Sequence, residues 1–170
     1  MNLSPRTYQE SIEIAASPEA IYDLVSDVTR TGEWSPVCQE CWWEEGGGPY
    51  VGARFTGRNV TPERTWETTS TVTAAEAGRE FAWEVGRGFV RWAYRIAPLA
   101  GRVRLTESWE FTSAGQEYFV RGFGEDAPSW IEYVTQAAHD GIPATLEAIK
   151  RIAERAEDAT SGNDRPTPNG

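Results

Sequence analysis

One histidine and two cysteines are all this chain holds of those residue types, so the side chains able to do acid/base or sulfur chemistry are few. Glu107 stands in the run Arg102 to Thr112, where Val103, Leu105, Trp109 and Phe111 share its parity. In a strand these five side chains project to one face, which puts a carboxylate on an otherwise apolar surface. An unpaired charge there costs several kcal/mol, so Glu107 needs a partner, a water-filled cavity or a raised pKa. His139 lies three positions before Ile142 and seven before Leu146, on the apolar stripe of a helical pattern. A lone histidine on such a stripe is commonly structural. It would meet Glu107 as an acid/base pair if the helix lies across that strand.

The sulfur chemistry sits in WSPVCQECWWEE, Trp34 to Glu45. Cys38 and Cys41 have the C-x-x-C spacing, but a thioredoxin-type motif needs a helix to start at the pair, and a zinc site needs two further ligands. The chain supplies one histidine and no third cysteine, so no metal is expected. In an extended segment residues three apart point to opposite faces, which separates the two sulfurs and reads as two packed structural cysteines. Adjacent Trp42 and Trp43 likewise face opposite ways, and one of them belongs to the interior.

These residues must be positioned by a definite order of elements. Thr7 to Ala15 alternates, with Tyr8, Ile12 and Ile14 on one side, as a half-buried strand does. Ser17-Pro18-Glu19 supplies a cap, a proline at the first helical position and an acid in the first turn of a short helix that ends near Gly32. Strand-like runs follow at Cys38 to Glu45, Ala53 to Val60, Thr65 to Thr73, Glu80 to Val85, Val90 to Ala97 and Arg102 to Thr112, joined by links short enough only for antiparallel neighbours. From Ala127 to about Glu157 the period becomes helical, with Ile142, Leu146, Ile149 and Ala153 as the apolar stripe. Pro143 should kink or break that helix near Gly141. The single domain spans residues 1–157, and residues 158–170, rich in Ser, Gly, Asn and Pro, are expected to be a disordered tail.

Such a sheet is twisted and curled, and one helix covers only part of its concave face. Parity places Phe55, Gly57 and Asn59, then Trp66, Thr68, Ser70 and Val72, then Phe81 and Trp83, then Trp92 and Tyr94, and finally Glu107 and Trp109 on that face. Aromatic walls with a few polar groups suit either an ordinary core or a ligand pocket. A buried carboxylate and four inward indole N–H groups favour a pocket holding water or ligand. The expected lining is Trp34 near the mouth, Phe55, Asn59, Trp66, Thr68, Phe81, Trp83, Trp92, Tyr94, Trp109, Ile142 and Leu146.

Composition limits the partners. The 170 residues carry 16 basic against 26 acidic side chains, a net charge of −10, with no basic cluster to neutralise phosphates, so nucleic acid is not an expected partner. No run approaches the roughly twenty apolar residues of a membrane span, and MNLSPRTYQE lacks the apolar stretch of a secretory signal, so a cytoplasmic protein without membrane insertion is expected. A half-covered sheet is compatible with a monomer or a homodimer.

Ser17-Pro18, EWSPVC at Glu33 to Cys38, VGARFTGRN at Val51 to Asn59, GREFAWEV at Gly78 to Val85, RLTESWEF at Arg104 to Phe111 and GIPATLEAIK at Gly141 to Lys150 together resemble the polyketide cyclase/dehydrase branch of the START-related (SRPBCC) lipid-transport superfamily, over about residues 6–155. The resemblance implies an α+β helix-grip fold, a seven-stranded curved antiparallel sheet wrapped around the C-terminal helix, with an apolar cavity between them. Members include aromatic polyketide cyclases, lipid carriers and hormone receptors, with no catalytic signature common to them. Three functions fit: binding of an apolar or aromatic small molecule without a cofactor; cyclisation or dehydration of a polyketide-like substrate, with Glu107 and His139 as acid and base; and a protein-interaction module with a closed core.

Overall fold

The computed structural model describes residues 3–162. Ser17 opens the first helix as the sequence predicts: its hydroxyl accepts from the Ala20 amide at 3.1 Å, Pro18 occupies the first turn, and α1 (Pro18–Val25) buries Ile21, Tyr22, Leu24 and Val25. A 3-10 segment, Val28–Glu33, carries the chain across the end of the sheet.

Seven strands form one antiparallel sheet: β1 (Arg6–Ile14), β2 (Cys38–Trp43), β3 (Arg54–Val60), β4 (Thr65–Glu76), β5 (Glu80–Val85), β6 (Val90–Leu99) and β7 (Arg102–Phe111). Their spatial order is β1-β7-β6-β5-β4-β3-β2, so every neighbour except β1 follows in sequence. β1 closes the sheet by pairing with β7, Tyr8 opposite Trp109 and Glu10 opposite Glu107. Parity holds along β7: Val103, Leu105, Glu107, Trp109 and Phe111 are all buried. Outside, ion pairs such as Arg91 with Glu110 and Arg95 with Glu80 cover the solvent face.

Two strands contain irregularities that alternation does not announce. The β2–β3 register shifts between Cys38 and Glu40, and the β4–β5 register shifts between Val72 and Ala74. Each bulge turns residues three apart to the same side: Cys38 with Cys41, and Val72 with Ala75. The expectation that the two cysteines face opposite ways is therefore wrong. β4 also continues beyond Thr73, to Glu76.

The helical half differs from expectation in three respects. A helix that the sequence pattern does not announce, α2 (Ser113–Phe123), follows β7 directly. Thr112 caps it, accepting from the Gly115 amide at 3.1 Å, while its hydroxyl reaches the carbonyls of Gly88 and Phe89 at 2.9 and 3.0 Å. Buried Gln116 donates to the carbonyl of Ser4 at 2.8 Å, tying the N-terminal segment to the same corner. Next, α3 (Ala127–Gly162) runs unbroken through Pro143, so Pro143 does not break it. The carbonyl of His139 simply lacks its donor there, because proline has no N–H. Finally, α3 takes in residues 158–162, which were expected in the tail; residues 163–170 lie outside the described part. Ile142, Leu146, Ile149 and Ala153 are buried against the sheet as predicted. Among the described residues no helix is long and apolar enough to cross a membrane.

Candidate functional site

Between the concave face of the sheet and α3 lies a cavity of about 640 Å³. The interior is thus not packed shut. β3 contributes Phe55, Gly57 and Asn59, β4 contributes Trp66 and Thr68, β5 Phe81 and Trp83, β6 Trp92 and Tyr94, and β7 Glu107 and Trp109; α3 adds Ala138, Ile142 and Thr145. The aromatic members pack on one another: Trp83 meets Phe55, Phe81, Trp92 and Tyr94 with ring centroids between 5.7 and 6.2 Å apart. The ten strand and loop residues of the expected lining and α3's Ile142 line this space, whereas Leu146 is core packing behind the wall.

The polar centre is a chain of three side chains. Trp34 is buried at 5 % exposure, so it belongs to the interior and not to the mouth. Its indole N–H donates to the hydroxyl of Tyr94, and that hydroxyl in turn hydrogen-bonds Glu107. Glu107 is 4 % exposed, and its Oε2 has no hydrogen-bond partner among the described residues. Burial pushes its carboxyl up to about 8, against the smaller opposing effect of the Tyr94 hydrogen bond. At neutral pH Glu107 is therefore mainly a neutral acid: one oxygen accepts from Tyr94 and the other offers an O–H with no protein acceptor. The Tyr94 phenol is driven well above its ordinary range, mainly by burial and then by Glu107, and stays protonated.

His139 does not join this centre. It stacks on Tyr8 of β1, ring centroids 4.1 Å apart, on an exposed part of α3. The i, i+3 spacing predicts it on the stripe with Ile142, but three residues subtend about 300° on a helix, which is enough to carry the ring around the edge of the buried face. The expected pairing of His139 with Glu107 is not formed; the partner of Glu107 is Tyr94.

Several lining residues were invisible to parity. Arg64, in the turn between β3 and β4, lies over the rings of Trp66 and Trp130 at 4.1 and 4.9 Å, and its Nε has no hydrogen-bond acceptor. It lines the cavity near Tyr118 and Tyr133, which are 52 % and 42 % exposed and mark an open rim. Phe119 and Phe123 of α2 continue that wall, linking Phe111 to Trp130 through edge-on and stacked ring contacts. Their four-residue spacing was a helical signal. Of the tryptophan pair in β2, Trp43 is the inner one, edge-on to Phe55 at 5.5 Å, while Trp42 lies outside beneath the Arg58 guanidinium. The two cysteines also line the cavity, with Sγ atoms 3.2 Å apart.

A curved seven-stranded sheet gripping one long helix across an apolar cavity defines a START-like, helix-grip protein. The chain belongs to the polyketide cyclase/dehydrase and lipid transport family, whose model matches residues 5–147. The polyketide-cyclase-like protein Cgl2372 from Corynebacterium glutamicum is 53 % identical, the match covering 95 % of this chain and 97 % of that one, with a TM-score of 0.67. The Zhui aromatase/cyclase from a Streptomyces species (16 % identity, 92 % and 98 % covered, TM-score 0.70) and a START superfamily protein from Mycobacterium smegmatis (15 %, 88 % and 98 %, 0.63) share the fold. No curated protein matches this chain.

Proposed function

We propose that the protein binds an apolar or aromatic small molecule, polyketide- or lipid-like, whose carbonyl or hydroxyl oxygen accepts a hydrogen bond from Glu107. The observation that carries this reading is the unpartnered Oε2 of Glu107 in the wall of an aromatic cavity. A buried donor left unmade costs roughly 1–3 kcal/mol, and a ligand oxygen removes that cost. The cavity, of about 640 Å³, falls in the range of small-molecule sites. Arg64 at the rim provides a second polar group for the outer end of an elongated ligand.

Tryptophan emission tests the proposal, since Trp34, Trp83, Trp92 and Trp109 surround the site. Two bicyclic probes of similar size are titrated, 1-acetonaphthone with a carbonyl and 1-ethylnaphthalene without one. Both should quench or shift the emission, and the ketone should bind about 3–10-fold more tightly, the worth of one net hydrogen bond. Glu107→Leu should erase that preference. Silence from both probes would sink the binding reading; equal affinities in the native protein would sink only the role of Glu107.

A second reading, acid-assisted cyclisation or dehydration of a polyketide-like substrate, is supported by one specific feature. Glu107 is a carboxylic acid kept protonated near neutral pH inside the cavity, the state a general acid needs. In this reading Glu107→Gln retains binding and loses turnover; undiminished turnover would exclude it.

A further inference from the structure

The bulge in β2 brings two thiols together in the cavity wall, a placement for which ligand binding has no need. We propose that Cys38 and Cys41 are a redox-active dithiol, closed to an intramolecular disulfide by neutral hydroperoxides that enter the cavity. The sulfurs stand 3.2 Å apart, and bonding requires them to approach by about 1 Å, within reach of side-chain rotation. Gly57 on β3 faces the pair across the β2–β3 register: a Cβ there would lie 3.2 Å from each sulfur, so the glycine leaves the room that rotation needs.

The two thiols are not equivalent. Cys38 has one S–H and two acceptors in reach, Cys41 Sγ at 3.2 Å and the Glu40 carbonyl at 3.6 Å; the nearer contact, open to donation from either sulfur, is assigned to Cys38 as donor. Cys41 receives that bond, and the Thr31 hydroxyl lies within reach, shared with the Val28 carbonyl at 2.7 Å. The bond from Cys38 holds the Cys41 thiol below its ordinary range, while Cys38 is pushed up by the same bond and by burial. Cys41 is thus the attacking sulfur and Cys38 the resolving one.

The chemistry balances. Cys41 thiolate attacks the terminal oxygen of R–O–O–H; the O–O bond breaks, giving the sulfenic acid Cys41–SOH and an alkoxide, which takes up the proton Cys41 gave. Cys38 sulfur then attacks Cys41 sulfur; the S–O bond breaks, and the departing hydroxide leaves as water with the Cys38 proton. One hydroperoxide becomes one alcohol and one water, and two thiols become one disulfide. Neutral hydroperoxides are favoured over anionic disulfides because the wall is apolar and the chain carries a net charge of −10. The inference shares the cavity with the ligand proposed above and does not depend on it.

The test treats the folded native protein with cumene hydroperoxide, then blocks free thiols with N-ethylmaleimide and maps peptides. The expected result is a Cys38–Cys41 disulfide, loss of both maleimide adducts, and full recovery on reduction. Cys38→Ser should trap the sulfenic acid at Cys41 as a dimedone adduct, and Cys41→Ser should slow peroxide consumption at least tenfold. Persistence of both maleimide adducts in the native protein, or oxidation to sulfinic acid without a disulfide, overturns the proposal whether or not the serine variants fold.

Discussion

Glu107 lies between Leu105 and Trp109 on β7, with Glu10 of β1 as its cross-strand neighbour. Its partner, Tyr94, is neutral, so burial dominates and the carboxyl is held protonated up to about pH 8, against 4.5 in an unfolded chain. The sign of the stability effect follows from proton counting. Between these two values the folded chain holds the proton and the unfolded chain has released it, so the contribution of Glu107 to stability is fully present below pH 4.5 and is lost as pH rises toward about 8. Glu107→Gln cannot ionise and should lack this slope. Urea denaturation of both proteins across that window should show the variant gaining on the native protein with rising pH; parallel curves would mean that Glu107 ionises freely in the fold.

At the scale of elements, the bulges and α2 decide where the wall is complete. α2 carries two glycines and a run of aromatic and β-branched residues in SAGQEYFVRGF, a weak helix former by propensity. It is stabilised instead by the Thr112 cap and by packing of Phe119 on Phe111. Gly115 is the tightest point, since a Cβ there would lie 2.2 Å from the Phe89 carbonyl oxygen. Two effects compete in Gly115→Ala: alanine gains up to about 1 kcal/mol of helix propensity, and the clash costs roughly 1–3 kcal/mol. The clash meets backbone, which cannot swing away. A net loss of stability is therefore expected in thermal unfolding; an unchanged or raised midpoint would show that α2 is free to move off the β5–β6 turn.

Across the whole molecule, the cavity couples occupancy to stability. A ligand that binds only the folded chain stabilises it by about 2.7 kcal/mol at one hundred times its dissociation constant. For a domain of this length that raises the unfolding midpoint by roughly 5–10 °C. Scanning calorimetry with increasing 1-acetonaphthone should show the midpoint climbing with the logarithm of concentration; a fixed midpoint would mean that the probe does not bind the folded chain in preference to the unfolded one.

Local patterns fixed most of the scaffold. Ser17-Pro18 set the start of α1, period-two alternation set the faces of β5, β6 and β7, and the stripe Ile142, Leu146 and Ile149 set the buried side of α3, because each of these depends on neighbours a few residues away. The aromatic lining of the cavity was legible for the same reason: once a strand's core face is known, its alternate residues are known. Where the chain departs from a regular period, sequence alone loses the thread. The bulges at Cys38–Glu40 and Val72–Ala74 are set by pairing with β3 and β5, so only the assembled sheet turns Cys38 toward Cys41 and carries β4 past Thr73. His139 and Tyr94 make the same point at the site. The sequence determined that a carboxylate would be buried among aromatics; which side chain reaches it depends on the rotation of a helix against a sheet and on the position of Trp34 across the cavity, and those are settled only when the tertiary structure closes.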